Sequence, residues 1–403
     1  MKPIVRARRM KPVHSDIRGP LFVEAMKRQK QGIDILKLNT GNPATFGFGL
    51  PDSIKNALME HMQDGVGYCD FKGMPQARQA ICDYETSKGI KGITSDDVFI
   101  GNGVSEVVSF ALTPLLNDGD EVLVPSPSYS LWGNSVYLED GKPVFYTCDE
   151  QANWYPDIQD IRSKITDKTK AIVIINPNNP TGVLYPKELL LEIIQIAREF
   201  GLLILADEIY DRLVMDGKQH ISLASLTEDV PVITLNGLSK SHCLCGYRCG
   251  WMVISGPREL TEDYRQGIIQ LTSLRLCANT LAQIVIPAAD METPASMVRP
   301  GGRIYEQREA TVRELEKIDG LSFVKNDAAF YVFPKLDVKK FNITNDKQFA
   351  HDLLDVTNIL LVPGSGFDWK DPDHFRIVML PQADILSDAI RRMGTFLDGY
   401  KQK

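Results

Sequence analysis

From about residue 98 onward the chain alternates short apolar runs with amphipathic stretches, and this alternation restricts the fold more than any other feature of the sequence. It is the pattern of strands joined by helices in a mainly parallel α/β sheet. Seven runs read as strands, at residues 98–101, 121–125, 142–148, 170–176, 202–207, 230–238 and 248–255. The clearest helix is expected at 186–200, where Pro186 opens it and Leu189, Leu190, Ile193, Ile194 and Ala197 recur at helical spacing. Other helices are expected at 106–116, 258–273 and 278–289, and the stretch 292–302, with its two prolines and two glycines, reads as a boundary loop. A charged helix at 304–318 then opens a smaller α+β unit, with strand-like 329–333 and 359–362 and a terminal helix at 383–397. The expected organisation is a large domain over 51–292, a small C-terminal domain over 293–403, and an N-terminal arm over 1–50 that joins the small one.

Composition removes several function classes. With 45 Lys+Arg against 52 Asp+Glu the net charge is -7, so nucleic acid and anionic membranes are not expected partners. No apolar run approaches the ~20 residues of a membrane span, so a soluble protein is expected. The odd count of 7 cysteines, in a chain long enough to fold without staples, fits a reducing cytoplasm better than a disulfide framework. Lys2, Arg6, Arg8, Arg9 and Lys11 form one basic run, which reads either as a targeting or nucleic-acid arm or as an arm that frays or embraces a partner. The spacing of Cys243, Cys245 and Cys249 beside His242 matches no usual zinc pattern, and no metal is expected.

In parallel α/β sheets ligands bind beyond the carboxyl ends of the strands, so the polar residues just past each run carry the chemistry. After the first strand, Gly101-Asn-Gly-Val104-Ser105 opens a helix. It is either a plain strand-to-helix turn or an anion cradle of backbone N–H groups. Glu106 stands where a dinucleotide fingerprint needs its third glycine, and no Walker loop occurs. After the fourth comes the stiff loop Asn176-Pro-Asn-Asn179-Pro-Thr-Gly182. Asp207, at the tip of an apolar strand, is either solvated or paired with a cation such as a protonated ring nitrogen. Ser239-Lys240 follows the sixth strand, where a lysine with a lowered pKa can attack a carbonyl, and Arg248, eight residues on, can oppose a phosphate.

The order Asn179-Pro-Thr-Gly, Asp207, Tyr210, Ser239-Lys240, Arg248 resembles the class I/II aminotransferases, enzymes of the PLP-dependent transferase type I fold, over nearly the whole chain. Within that family it most resembles the bacterial alanine aminotransferases, through Asp16-Ile-Arg-Gly-Pro20, Leu38-Asn-Thr-Gly-Asn-Pro43, Gly67-Tyr-Cys-Asp70, residues 173–182 and Phe375-Arg-Ile-Val378. The resemblance implies pyridoxal 5'-phosphate (PLP) as cofactor. Lys240 would hold it covalently, yield it to the substrate amine and carry the proton between the substrate α-carbon and the cofactor. Asp207 would keep the ring nitrogen protonated, Tyr210 and Asn179 would bond the ring oxygen, and Tyr129 would stack on the ring. Val104, Ser105, Ser239 and Arg248 would hold the phosphate, with Tyr68 reaching in from the second subunit of a homodimer.

For the substrate, the resemblance implies Arg376 as the α-carboxylate clamp, helped by Asn179 and the backbone of Gly41. Arg18 is either the reader of glutamate's second carboxylate or part of a salt bridge within the arm. The family's lysine signature prefers small or aliphatic residues where this chain has Cys243 and Cys249, which bears on placement within the family and on sensitivity to oxidation. The implied reaction is ping-pong transamination between alanine and 2-oxoglutarate. Branched-chain or aromatic aminotransferases and C–S lyases are rivals on the same scaffold. A PLP-binding regulator without turnover would need a DNA-reading domain, and the roughly fifty residues ahead of the large domain carry no helix-turn-helix pattern.

Overall fold

All seven expected strands form, and an eighth joins them. In the computed structural model, which describes residues 2–403, they are β1 (Val98–Asn102), β2 (Glu121–Ser126), β3 (Lys142–Asp149), β4 (Tyr155–Pro156), β5 (Thr169–Ile175), β6 (Leu203–Asp207), β7 (Val232–Gly237) and β8 (Cys249–Ser255). The order across the sheet is β1-β8-β7-β6-β5-β2-β3-β4. The five strands from β7 through β3 run parallel to one another, while β8 is antiparallel to both β1 and β7 and β4 is antiparallel to β3. The expectation of seven strands is corrected by β4, which pairs only Tyr155 and Pro156 with the end of β3. Two residues are too few to display a period-two pattern.

Both faces of the sheet are covered, which is why its strands read as continuous apolar runs. Alternate side chains separate cleanly. Ile172, Ile174, Ile204 and Ala206 face the core built with Leu190, Ile193, Ile194 and Ala197 of the helix Lys187–Phe200. Ala171, Val173, Ile175, Leu205, Ile233 and Leu235 face the opposite core, shared with Val107, Val108 and Ile268.

A separate core gathers Leu315, Phe349, Leu353, Phe375, Ile377, Leu386, Ile390 and Met393 from the last third of the chain, together with Leu38. There Leu36–Lys37 adds a parallel strand to Ile359–Leu360. Phe375–Val378 pairs antiparallel with both Tyr331–Val332 and Val362–Pro363, and this small sheet carries Arg376. Two expectations here are corrected. Residues 292–302 are not all loop, because Glu292–Val298 is helical with Pro294 inside its first turn, where a missing N–H costs nothing. The helix expected at 278–289 is only Thr280–Ile284, and turns close the segment up to Ala289.

Candidate active site

The carboxyl ends of β5, β6 and β7 deliver the three groups that the sequence marks. Asp207 ends β6, deep in the fold at 5% exposed. It accepts from Trp132 Nε1 at 3.0 Å and from Ile209 N at 3.3 Å. Desolvation pushes its pKa up to about 6, against the lowering effect of those two bonds. A cation brought to this carboxylate would relieve the cost.

Lys240 lies in the one-turn helix Leu238–Ser241 that follows β7, and its Nζ donates to Gly41 O at 2.8 Å. A lowered pKa was the sequence expectation, and the structure corrects it. Burial does act to lower the value, but the neighbouring Tyr331, Cys245 and Tyr129 act the other way and the net shift is upward.

Asn179 shows how the stiff loop works. Asn176 Oδ1 accepts from Tyr185 N at 2.9 Å and Asn178 Nδ2 donates to Tyr185 Oη at 3.1 Å, so those two amides brace the loop from within. Asn179 instead turns outward to accept from Arg376 Nη1 at 2.9 Å. Gly182 closes the loop with φ +70, where a Cβ would stand 2.6 Å from that of Asn326.

Arg376 is 1% exposed, yet it faces no carboxylate. Its Nη2 donates to Asn39 O, its Nε has no partner, and its guanidinium lies 4.5 Å from the Tyr331 ring centroid and 4.6 Å from that of Phe367. Burial lowers its pKa, as expected for a cation held by carbonyls and aromatic faces alone. Tyr210 donates to, or accepts from, Tyr331 Oη at 2.9 Å, which places Tyr331 between the tyrosine and the arginine. A Cβ on Gly41 would sit 2.2 Å from Tyr331 Oη, so only glycine lets this backbone come so close.

A second cluster forms where Gly103 caps the helix Val104–Leu112. The Arg248 guanidinium lies against Gly103, where a Cβ would be 2.3 Å from Nη2, and Nη1 donates to Cys245 O at 2.8 Å. Arg248 precedes β8 rather than starting it, in a left-handed conformation with φ 57. Ser105 and Arg248 are exposed, Val104 and Tyr129 half-buried, and Ser239 buried next to Lys240. Backbone N–H groups at a helix start, two hydroxyls and an arginine make a donor set suited to a phosphate.

Lys240, Arg248 and Arg376 thus hydrogen-bond carbonyls and an amide rather than carboxylates, while the one acid among them, Asp207, is buried without a cation at bonding distance. Such a set fits a ligand that carries a cationic ring nitrogen, a phosphate and, beside them, a carboxylate. Two of the expected residues stay outside it. Tyr68 is 83% exposed, and Arg18 is exposed with no ion pair among the described residues. Sequence reasoning missed Trp132 and Tyr331, and it named Asn39 and Cys245 without giving either a place in the site. Tyr331 carried a signal, a hydroxyl in an otherwise apolar run.

A model of the family described as aminotransferase class I and II matches residues 33–390. The chain is 49% identical to the glutamate-pyruvate aminotransferase AlaA of Haemophilus influenzae, over 100% of both chains. An aminotransferase crystal structure from Escherichia coli superposes with a TM-score of 0.98 at 46% identity, covering 100% of both chains. The alanine aminotransferase of Pyrococcus furiosus superposes with a TM-score of 0.93 at 40% identity, covering 98% of this chain and 100% of that one.

Proposed function

The chain belongs to the class I and II aminotransferases, and from that premise we propose that it is a PLP-dependent alanine transaminase, converting L-alanine and 2-oxoglutarate to pyruvate and L-glutamate by ping-pong turnover. The observation that carries the reading is Arg376, a buried guanidinium with no carboxylate of its own beside the amine of Lys240 and the acid of Asp207. The relatives whose names specify alanine, glutamate and pyruvate match over essentially their full lengths, which supports the substrate pair.

PLP supplies, when bound, a carbonyl that takes up the amino group and a ring that draws electrons from the substrate α-carbon. Lys240 would hold it, Asp207 would keep its ring nitrogen protonated, and Tyr210 and Asn179 would bond its ring oxygen. Tyr129 would stack on the ring. The N–H groups of Val104 and Ser105, the Ser239 hydroxyl and Arg248 would hold its phosphate. Arg376 grips the α-carboxylate with the N–H groups that Asn179 and Asn39 leave unused, and Gly41 brings backbone alongside. The ε-amine of Lys240 then takes the proton from the substrate α-carbon and returns it on the other side of the reaction, a single group serving as base and acid. Arg18, one residue from Ile17, whose carbonyl accepts from Asn39 Nδ2 at 2.8 Å, is placed in the proposal as reader of the distal carboxylate of glutamate.

The working unit is taken to be a homodimer in the cytoplasm. Met59, Met62, Val66, Tyr68, Leu274 and Leu276 are exposed apolar side chains, and Arg275 Nη2 ties their two segments together by donating to Phe71 O at 3.1 Å. A second copy covering that face would bury it and bring Tyr68 to the partner's phosphate site. No helix among the described residues is long and apolar enough to cross a membrane.

Borohydride reduction of the yellow protein followed by peptide mapping should find PLP on Lys240. Single-turnover spectra with alanine, glutamate, valine, tyrosine and aspartate should show fast conversion with the first two only. Equal rates with valine or tyrosine would overturn the substrate pair, and a protein that retains no chromophore would overturn the cofactor.

A further inference from the structure

Behind the strand end that carries Asp207 lies a group of buried charges that the mechanism above does not use. Within residues 207–211, Asp207 and Tyr210 face the site, whereas Glu208 and Asp211 face away, toward the end of the helix Pro75–Ser87. At the end of that helix Lys88 sends its ammonium between three carboxylates, 2.5 Å from Glu85 Oε2, 2.8 Å from Glu208 Oε2 and 3.2 Å from Asp211 Oδ2. The acid side chains are 0%, 2% and 1% exposed and that of Lys88 11%. A cation at a helix carboxyl end is also favoured by the helix dipole.

The carboxylates are tied in turn to the elements that build the site. Glu208 Oε1 accepts from Ser222 Oγ at 2.9 Å and from Leu223 N at 3.1 Å. Asp211 Oδ2 accepts from Tyr84 Oη at 2.7 Å and from Asn236 Nδ2 at 2.6 Å, and Asn236 lies on β7, four residues ahead of Lys240. Glu85 Oε1 accepts from Trp251 Nε1 of β8 at 3.0 Å. One ammonium therefore joins the helix Pro75–Ser87 and the ends of β6, β7 and β8. Burial lowers the pKa of His220, close to Glu208 and Asp211, even though those two acids act to raise it, so the imidazole is a poor substitute for Lys88.

We propose that Lys88 is a positioning residue for the reaction: by neutralising Glu208 and Asp211 behind the strand end, it fixes the segment that presents Asp207 and Tyr210 and holds it in register with the Lys240 segment. The inference rests on the transaminase reading only in taking Asp207 and Tyr210 as the groups that face the cofactor. Lys88 touches neither substrate nor cofactor. Its removal leaves the buried acids with Arg212, whose guanidinium lies 3.7 Å from the Tyr84 ring centroid, as the cation beside Asp211, and the remaining repulsion is relieved by proton uptake or by movement of the segment.

The test compares wild type, Lys88→Met and the double variant Lys88→Met/Glu208→Gln, each titrated with PLP and then assayed with alanine. Lys88→Met should bind PLP about tenfold more weakly and lose about tenfold in kcat with KM for alanine within about threefold, the scale at which loss of an outer partner acts through a liganding group. The double variant, relieved of one acid, should recover much of the thermal stability and of the PLP affinity that Lys88→Met loses. PLP affinity as low as that of Lys88→Met in a double variant as stable as wild type would overturn the proposal, as would a Lys88→Met protein whose kcat falls only with its folded fraction. Failure of the transaminase reading is distinct, since wild type itself would then bind no PLP or turn over no alanine.

Discussion

The indole Nε1 of Trp132 donates to Oδ2 of Asp207 at 3.0 Å, with both side chains buried at the carboxyl edge of the sheet. This bond does for the carboxylate what water would do elsewhere. It offsets part of the desolvation that raises the Asp207 pKa to about 6, while Oδ1 accepts from Ile209 N at 3.3 Å.

Trp132→Phe keeps the ring and deletes the donor. A charged group that loses a buried hydrogen bond forfeits about 1.5–3 kcal/mol. PLP affinity, followed by fluorescence titration, should fall about tenfold or more, and the Asp207 pKa should rise further. Unchanged affinity would mean that the indole N–H does not act on the carboxylate.

Arg376→Lys keeps the positive charge but loses the planar fork and the bonds to Asn179 and Asn39. The kcat/KM for alanine and for glutamate should fall together by about 100-fold, roughly 2.7 kcal/mol, because both amino acids present the same α-carboxylate. A loss confined to glutamate would assign Arg376 to the distal carboxylate instead.

Arg18→Gln should separate the two substrates. KM for glutamate and 2-oxoglutarate should rise about tenfold, while alanine and pyruvate should change less than about twofold, since they have no second carboxylate to lose. Equal changes for both pairs would return Arg18 to a structural role in the arm.

His14 clasps the N-terminal arm to the rest of the chain. Its ring lies 3.7 Å from Asp16 Oδ2 and is hydrogen-bonded at 3.0 Å to Asp368, and these two partners raise its pKa from the ordinary 6.5 to about 9 despite partial burial. Because the folded value lies above the unfolded one, the stabilisation is fully present below about 6.5 and fades as pH rises through about 9. Melting temperatures of wild type and His14→Gln should differ at pH 6 and converge by about pH 10. A constant difference across that range would show that the clasp does not depend on charge.

Much of this molecule is legible in its sequence, for reasons that particular residues make clear. The runs that became β1 to β3 and β5 to β8 stand out because a sheet covered on both faces needs unbroken apolar strands. Asp207, Lys240 and Arg248 stand out because polar residues just past such runs have few structural reasons to be there. Partners are another matter. Trp132 reaches Asp207 across 75 positions and Tyr331 reaches Tyr210 across 121, and no local pattern encodes either contact. Lys88 was invisible for the same reason, since an isolated lysine after a helix reads as solvated until the fold wraps three acids around it. The direction of the Lys240 shift also needed the fold, because its ring and thiol neighbours, Tyr129, Cys245 and Tyr331, come from three separate segments.

β6 and β7 are hydrogen-bonded neighbours, with Asp207 opposite Leu235, and the first ends in the acid while the second leads into Lys240. Parallel strands keep a spacing of ~4.8 Å that no side chain sets. The sheet is in effect a ruler, and it fixes the places from which the acid and the segment of the amine set out. Loops around the mouth can lengthen, shorten or change composition, and with them the choice of amino acid, without disturbing those places. A slip of one residue between these two strands would do the opposite, leaving every loop intact and misaligning the pair on which turnover depends.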